Sequence, residues 1–447
     1  MGVIVPEGLY EAHLQALGEG YAEALAAHGF DAVVLHVGVA RPRSVYDDQR
    51  WSLRPMPHFQ HWLPLVEPGA LLLVRPGNGP TLVRHRTRDF WEQAPVLESD
   101  HFLAQFPTVW VDEPSEVREH FAGASRVAYL AEEGASPWGG PAEADNPSAL
   151  REALDALRVH KTPYEQWCLR EANQRASAGH DAVRSAFEGG ASTEFELHLA
   201  FLQATAQDDP ETPYKNIVAL GRNAATLHHV SYGKRPDEGA GGAQALLLDA
   251  GATCLGYCAD ITRTWVRGRG AAADLFTALV EGVDAMQQAL CAQAAVGRPY
   301  EALHDESHAR LGALLSTLGV LRGGAEEAVA AGVTRAFYPH GLGHSLGLQC
   351  HDVGCATVKP RADNPFLRNT SVIAPGQSFT VEPGVYFIES LLGPVREGPH
   401  RALVDWALVD ALTPLGGVRI EDDVVVREGA PVDNLTRPAL PRGGGRV

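Results

Sequence analysis

A chain of 447 residues with a formal net charge of −18 is long enough for two domains and a sizeable core, and its acidity argues against a nucleic-acid backbone as partner. It has no Lys/Arg-rich stripe and no apolar stretch long enough to span a bilayer, and the segment up to Tyr21 carries Glu7, Glu11 and Glu19 instead of a basic signal-peptide region. Cys168, Cys254, Cys258, Cys291, Cys350 and Cys355 are sparse for this length and read as the reduced thiols of a cytoplasmic enzyme; none of their spacings is the tight C-x₂-C of a zinc site.

In chain order, Leu9 to Ala27 is helix-like, Ala32 to Val37 and Ala70 to Val74 are strand-like, and Ala135 to Pro147 is rich in Pro, Gly and acids, as a linker would be. The first region, residues 1–158, therefore reads as mixed α/β, and a helix from Ser148 to Val159 leads into a second domain, residues 159–447. Helices are expected over Tyr164 to Phe187, Glu194 to Thr205, Ala271 to Ala294 and Tyr300 to Leu318, with strands between and after them; the tail Pro438 to Val447, poor in apolar residues, is expected to fray.

The chemistry sits on these strands. Ala245-Leu246-Leu247-Leu248-Asp249 reads as a buried strand ending in an acid, and Tyr257 to Trp265 as the returning strand of a hairpin that carries Asp260. His340 and His344 are four apart, but Pro339, Gly341 and Gly343 argue for a close-packed strand or loop rather than a helix; His351 follows seven residues after His344. Phe379 to Gly384 is an apolar strand ending in Glu382 at a Pro-Gly turn, and Val418 to Val424 is a strand in which Arg419 and Glu421 share a face. Singly, each acid also fits a solvated strand or a turn cap. Jointly, Asp249, Asp260, His344, Glu382 and Glu421 form an oxygen-rich set with one imidazole, suited to two hard divalent ions sharing a water.

The text of these segments resembles the pita-bread metallopeptidases, and among them the prolidases (Xaa-Pro dipeptidases) of the bacterial type that includes organophosphorus acid anhydrolases. The resemblance rests on Leu248-Asp249-Ala250-Gly251 with Ala259-Asp260-Ile261-Thr262-Arg263-Thr264, Pro339 to His344, Val381-Glu382-Pro383-Gly384 and Gly417 to Asp422, in family order. Thr212-Pro213-Tyr214, Asn216 to Leu220 and His61-Trp62-Leu63-Pro64 extend it over nearly the whole chain. It implies an α/β (α+β) architecture, an N-terminal mixed α/β domain plus a C-terminal pita-bread domain, and hydrolysis of Xaa-Pro dipeptides by a hydroxide bridging two ions.

Residue by residue, the resemblance implies that Asp249 chelates one metal, Asp260 and Glu421 bridge both, and His344 and Glu382 complete the second. Glu382 also moves a proton, and manganese is the expected ion, with cobalt or zinc able to replace it. Arg368 matches the arginine that takes the carboxylate of the C-terminal proline. His228 and His351 match the two non-ligand histidines that handle the tetrahedral centre; of the pair His228-His229, the second stands where tyrosine is commoner. Arg419 matches an arginine beside the metal carboxylates, and His340, Tyr214 and Tyr300 match pocket-lining positions. Asp47 and Asp48 resemble a segment that the partner of a homodimer brings to the pocket mouth. Cys350 stands where an aliphatic residue is commoner. The rival readings are an aminopeptidase P acting on longer peptides, a hydrolase with substantial organophosphate activity, and a non-catalytic binding protein, against which the complete ligand set argues.

Overall fold

The computed structural model describes residues 3–86, 100–236 and 244–447, and contacts divide the chain into a unit ending at Tyr164 and a unit beginning at Glu165. In the first unit the helix Leu9–His28 buries Tyr10, Leu17, Tyr21 and Leu25 along one face and stops at Gly29, whose φ of 69° is the left-handed C-cap that glycine adopts without strain. A five-stranded mixed sheet follows, in the spatial order Thr108–Val111, Asn78–His85, Leu71–Arg75, Ala32–His36, Val127–Leu130. Ala32–His36 and Leu71–Arg75 are continuous apolar runs because they are inner strands covered on both faces. The helix Ser148–Leu157 packs on the first helix, where Gly20 leaves room for Leu157.

The expected linker is not one. Ser136 N donates to Asp145 Oδ1 (3.0 Å) and Asn146 N to the Tyr129 carbonyl (2.7 Å), so its polar groups fasten Ala135–Pro147 to the edge strand of the first unit. Composition alone does not distinguish a polar loop that is tied down from one that is free.

The second unit contains helices Pro163–Glu188, Glu194–Thr205, Ala271–Gln293 and Tyr300–Thr317, each within a residue or two of the periodicity-based expectation. Thr193 caps the second of them in a capping box with Glu196. Its main sheet has the order Gly444–Arg446, Thr262–Arg267, Gln244–Asp249, Ile217–Leu220. Side chains alternate along Gln244–Asp249: Leu246 and Leu248 pack with Ala172, Ala176, Phe187 and Phe201 of the first two helices, while Leu247 packs with Ala219 and Tyr386 on the opposite face. Asp249 continues the Leu247 face, and so do Thr262 and Thr264, paired with Asp249 and Leu247 respectively.

Two strands expected to be continuous are broken, and both breaks place an acid. Between Gln244–Asp249 and Thr262–Arg267 lies a small hairpin, Thr253–Cys254 with Tyr257–Cys258, and Asp260 falls in the gap after it. The Asp260 amide donates to Asp423 Oδ2 (3.0 Å) instead of to a ladder partner. Likewise Gly417–Arg419 pairs with Gly384–Tyr386, and Asp422–Val425 pairs with Ser378–Val381, so Ile420 and Glu421 occupy the switch between partners. The tail also departs from expectation. Gly444–Arg446 adds a parallel edge strand beside Thr264–Val266 and Leu440 is buried. Few apolar side chains are needed there, because a Cβ on Gly444 would fall 1.9 Å from the Thr264 carbonyl oxygen: backbone approach, not side-chain burial, seals the tail.

Candidate metal and active site

Strand register brings the acids together. Thr262 pairs with Asp249 in the main sheet and bridges to Glu421 on its other side. Val381 opposite Asp422 and Gly384 opposite Arg419 bracket Glu382 and Glu421, which therefore lie across from one another. His344 is tied to the same row, because its amide donates to Thr380 Oγ1 (3.1 Å) and the Thr380 amide donates back to its carbonyl (3.0 Å). The glycines of this loop serve that contact: a Cβ on Gly343 would meet the Thr380 carbonyl at 2.1 Å and the Tyr300 hydroxyl at 2.4 Å.

Side chains close the cluster. Asp249, Asp260, His344 and Glu421 are buried, and Glu382 is partly open to a cavity of about 890 Å³. The Tyr214 hydroxyl bridges Asp249 Oδ1 (2.7 Å) and Asp260 Oδ1 (2.5 Å). His344 Nδ1–H donates to the Ser345 carbonyl (3.0 Å), which leaves Nε2 to face Asp260 Oδ2 at 3.4 Å and Glu382 Oε1 at 3.6 Å. Donor atoms of Asp260, His344 and Glu421 lie within 4.8 Å of one another. Arg419 supports the acids from behind, donating from Nη2 to Asp249 Oδ2 (2.5 Å), from Nη1 to Tyr386 Oη (2.9 Å) and from Nε to Thr262 Oγ1 (3.2 Å). Thr262 Oγ1 in turn donates to Glu421 Oε2 (2.6 Å).

The electrostatics show what this arrangement lacks by itself. Burial, then the neighbouring Asp260, Glu382 and Asp249, holds Glu421 well above the usual carboxylate range. Burial pushes Glu382 up to about 7 against the opposing pull of His344 and Arg419. Asp249 is raised by burial, with Arg419 opposing and Asp260 reinforcing. Burial works the same way on Asp260 but is overcome by His344, Cys350 and Tyr214, which hold it low. His344 reaches about 9, because Asp260 and Glu382 outweigh the burial that alone would lower it. Asp249, Glu382, Glu421 and His344 thus hold on to protons that divalent cations would displace, so the donor set fits hard divalent cations.

The cavity wall holds most of the expected substrate residues. His228, His340, His351, Arg368 and Tyr214 all line it. His229 turns away instead, with Nε2 2.9 Å from Glu194 Oε2. His340 Nδ1–H donates to the Gly341 carbonyl (2.8 Å) and Nε2 accepts from the Tyr386 hydroxyl (2.8 Å); burial and then Arg419 lower it to about 3, so this ring is neutral. Burial, then His344 and Arg368, lowers His351 to about 4.

One expectation needs correction. Tyr300 does not line the cavity: it is fully buried and its hydroxyl donates to the Thr380 carbonyl (2.7 Å), bracing the strand that leads into Glu382. Arg368 is exposed at the cavity and makes no ion pair among the described residues. Asp47 and Asp48 lie in an exposed loop of the N-terminal unit.

Two contributors were not expected from the sequence. Tyr386 joins His340 to Arg419 through its hydroxyl; its position four residues beyond Glu382, on the same face of an extended chain, is the one local signal that could have found it. Asp423 accepts from the Asp260 amide (3.0 Å) and from Asn173 Nδ2 (2.8 Å), while its neighbour Asp422 pairs with Arg263 (2.8 Å), both fully buried. The three successive acids Glu421, Asp422 and Asp423 thus face three different partners, which no periodicity would reveal.

This fold and donor cluster define a metallopeptidase of the M24 class. The model of metallopeptidase family M24 matches residues 168–428, and that of the Xaa-Pro dipeptidase N-terminal domain matches residues 8–156. The Xaa-Pro dipeptidase of Stenotrophomonas maltophilia (strain R551-3) is 38% identical over 98% of this chain and 99% of its own length. That of Marinobacter nauticus (strain ATCC 700491 / DSM 11845 / VT8) is 41% identical over 96% of this chain and 97% of its own. Among solved structures, the aminopeptidase PepP of Pseudomonas aeruginosa superposes with a TM-score of 0.71 at 24% identity, covering 99% of this chain and 97% of that one. The chain belongs to the prolidase (Xaa-Pro dipeptidase) family of pita-bread metallopeptidases.

Proposed function

We propose that this Xaa-Pro dipeptidase cleaves dipeptides with a C-terminal proline using two divalent ions, manganese in the native enzyme, held by Asp249, Asp260, His344, Glu382 and Glu421. The observation that carries this reading is the cross-strand row of Asp249, Glu421 and Glu382, closed by Asp260 and His344 at the floor of the cavity. When bound, the ions supply Lewis acidity, lowering the pKa of a shared water from about 15.7 towards neutrality and polarising the scissile carbonyl.

The rest falls to the chain's own groups. Glu382, partly open to the cavity, takes the proton of the attacking water and returns it to the proline nitrogen, which leaves poorly as an anion. His228 and His351 donate to the oxygen on which negative charge develops. Arg368, free of other ion pairs among the described residues, takes the substrate carboxylate in a bidentate way. Arg419, held by Tyr386, fixes Asp249 and stays charged throughout. Asp48 acts at the pocket mouth from the partner of a homodimer, and the enzyme works in the cytoplasm.

An aminopeptidase P activity on longer peptides is the second reading, since the same donor cluster and an open cavity of about 890 Å³ serve either substrate. The deciding experiment assays metal-stripped protein, with and without manganese, on an Xaa-Pro dipeptide and on the matching tripeptide with proline second. Manganese-dependent dipeptide cleavage alone is the expected result. Tripeptide cleavage would transfer the assignment to an aminopeptidase, and silence with every divalent ion would leave a binding protein. A fluorophosphate analogue run alongside measures organophosphate hydrolysis.

A further inference from the structure

One side chain at the cluster belongs to a different kind of chemistry. Cys350 Sγ lies 2.9 Å from Asp260 Oδ2, the same oxygen that His344 Nε2 faces at 3.4 Å. The rings of His344 and His351 meet edge to face with centroids 4.3 Å apart. A sulfur from Cys350 and one nitrogen each from His344 and His351 lie within 4.8 Å of one another. All three residues line the cavity, and the other five cysteines, Cys168, Cys254, Cys258, Cys291 and Cys355, are buried.

Sulfur with two imidazoles is a ligand set for zinc, cadmium or cuprous ions, whereas the carboxylates beside it suit hard ions. Tetrahedral zinc, with bonds of about 2.3 Å to sulfur and about 2.0 Å to nitrogen, needs donors about 3.6 Å apart. Donors within 4.8 Å of one another therefore need to close by about 1 Å, and the exposed His351 has room to move. In His344, Nδ1–H is committed to the Ser345 carbonyl, so Nε2 is the atom available to a cation.

We propose that Cys350, His351 and His344 form a separate site for thiophilic cations, one that overlaps the carboxylate cluster and withdraws His344 from it. Binding forms one metal–sulfur and two metal–nitrogen bonds; the Cys350 S–H proton and the Nε2 proton of His344 pass to solvent, so that both imidazoles coordinate as neutral ligands. Excess zinc or cadmium therefore opposes manganese by taking a shared ligand rather than by simple exchange. The site rests on the side-chain cluster and not on the peptidase reading, and its test reads thiolate coordination directly.

The probe is cadmium ion added to the metal-free full-length protein, followed by ultraviolet thiolate-to-metal charge-transfer absorption. Wild-type protein is expected to develop a band that saturates at one ion per chain. Cys350→Ser and Cys350→Ala should both lack it, and His351→Ala should weaken cadmium binding by about tenfold or more. Thermal stabilisation by manganese, measured on each variant, shows which are folded; two cysteine variants are used so that one failure to fold does not decide the matter. A wild-type protein that binds cadmium without a charge-transfer band, or a folded Cys350→Ser protein that keeps the band, would overturn the proposal.

Discussion

Arg419 is the residue on which the site's geometry turns, because one guanidinium meets Asp249, Tyr386 and Thr262 in a buried position. Arg419→Met leaves a buried carboxylate without its partner, at a cost of about 3–5 kcal/mol. Arg419→Lys cannot replace the planar fork, so both variants are expected to lose at least about a hundredfold in kcat/KM and to retain less manganese on dialysis. Glu382 gives the metal-free protein a pH signature. Its folded pKa, raised to about 7 from 4.5, means that the native state binds the extra proton. The resulting stability of about 3 kcal/mol is fully present below pH 4.5 and is lost as pH rises through 7. His344, raised from 6.5 to about 9, acts in the same direction at higher pH. Stripped protein should therefore melt at progressively lower temperature between pH 5 and 9. Glu382→Gln should flatten the lower part of that slope, and manganese, which displaces the protons, should stabilise more as pH rises. A slope unchanged in Glu382→Gln would assign the titration elsewhere.

Packing between elements decides how tightly the ligands are held. The loop of His344 lies against the strand of Glu382 through Gly343, where an added Cβ would strike a backbone carbonyl and a fully buried tyrosine at once. Neither neighbour is the free end of a flexible chain, so Gly343→Ala must push loop and strand apart. Its expected effect is a destabilisation of roughly 2–4 kcal/mol, in the range of strained core insertions, and a drop in manganese affinity that exceeds the effect on substrate KM. The C-terminal strand makes a second test. Besides the backbone pairs of Gly444–Arg446, the Leu440 carbonyl accepts from Arg263 Nη2 (3.1 Å), the arginine that neutralises buried Asp422. Deleting residues 438–447 should cost roughly 2–4 kcal/mol in urea unfolding through orphaned hydrogen bonds and should loosen the Glu421 segment, whereas a frayed tail would be removed without effect.

The proposed ligands all belong to the C-terminal unit, and cation binding there would add stability to that unit by mass action. Manganese at a hundred times its dissociation constant should contribute about 2.7 kcal/mol, and a chelator should remove it. Calorimetry is expected to show a manganese-dependent transition assigned by limited proteolysis to fragments beyond Glu165, with fragments from residues 3–86 unfolding at a temperature that chelation leaves unchanged. A shift of both transitions together would mean that the two units unfold as one. Among the described residues no helix is long and apolar enough to cross a membrane, and four of the carboxylates behind the formal charge of −18 sit where cations would balance them.

Much of this was legible before any coordinates. The helix spans came within a residue or two of expectation because apolar period is a local preference written in neighbouring positions. The proposed ligand residues stood out only jointly, because each acid alone also fits a turn cap or a solvated strand, whereas four acids and a histidine in family order do not. The rotation of His229 to Glu194, the burial of Tyr300 against Thr380, the hub at Tyr386 and the three fates of Glu421, Asp422 and Asp423 were not legible. Each depends on a partner far along the chain, and so does the seat of Cys350 on Asp260, 90 positions away. Sequence by itself determined which atoms can bind a cation and roughly which elements carry them. Only the tertiary structure decided which of those atoms share one space, because register between distant strands, and not local propensity, sets the distances on which coordination and proton transfer depend.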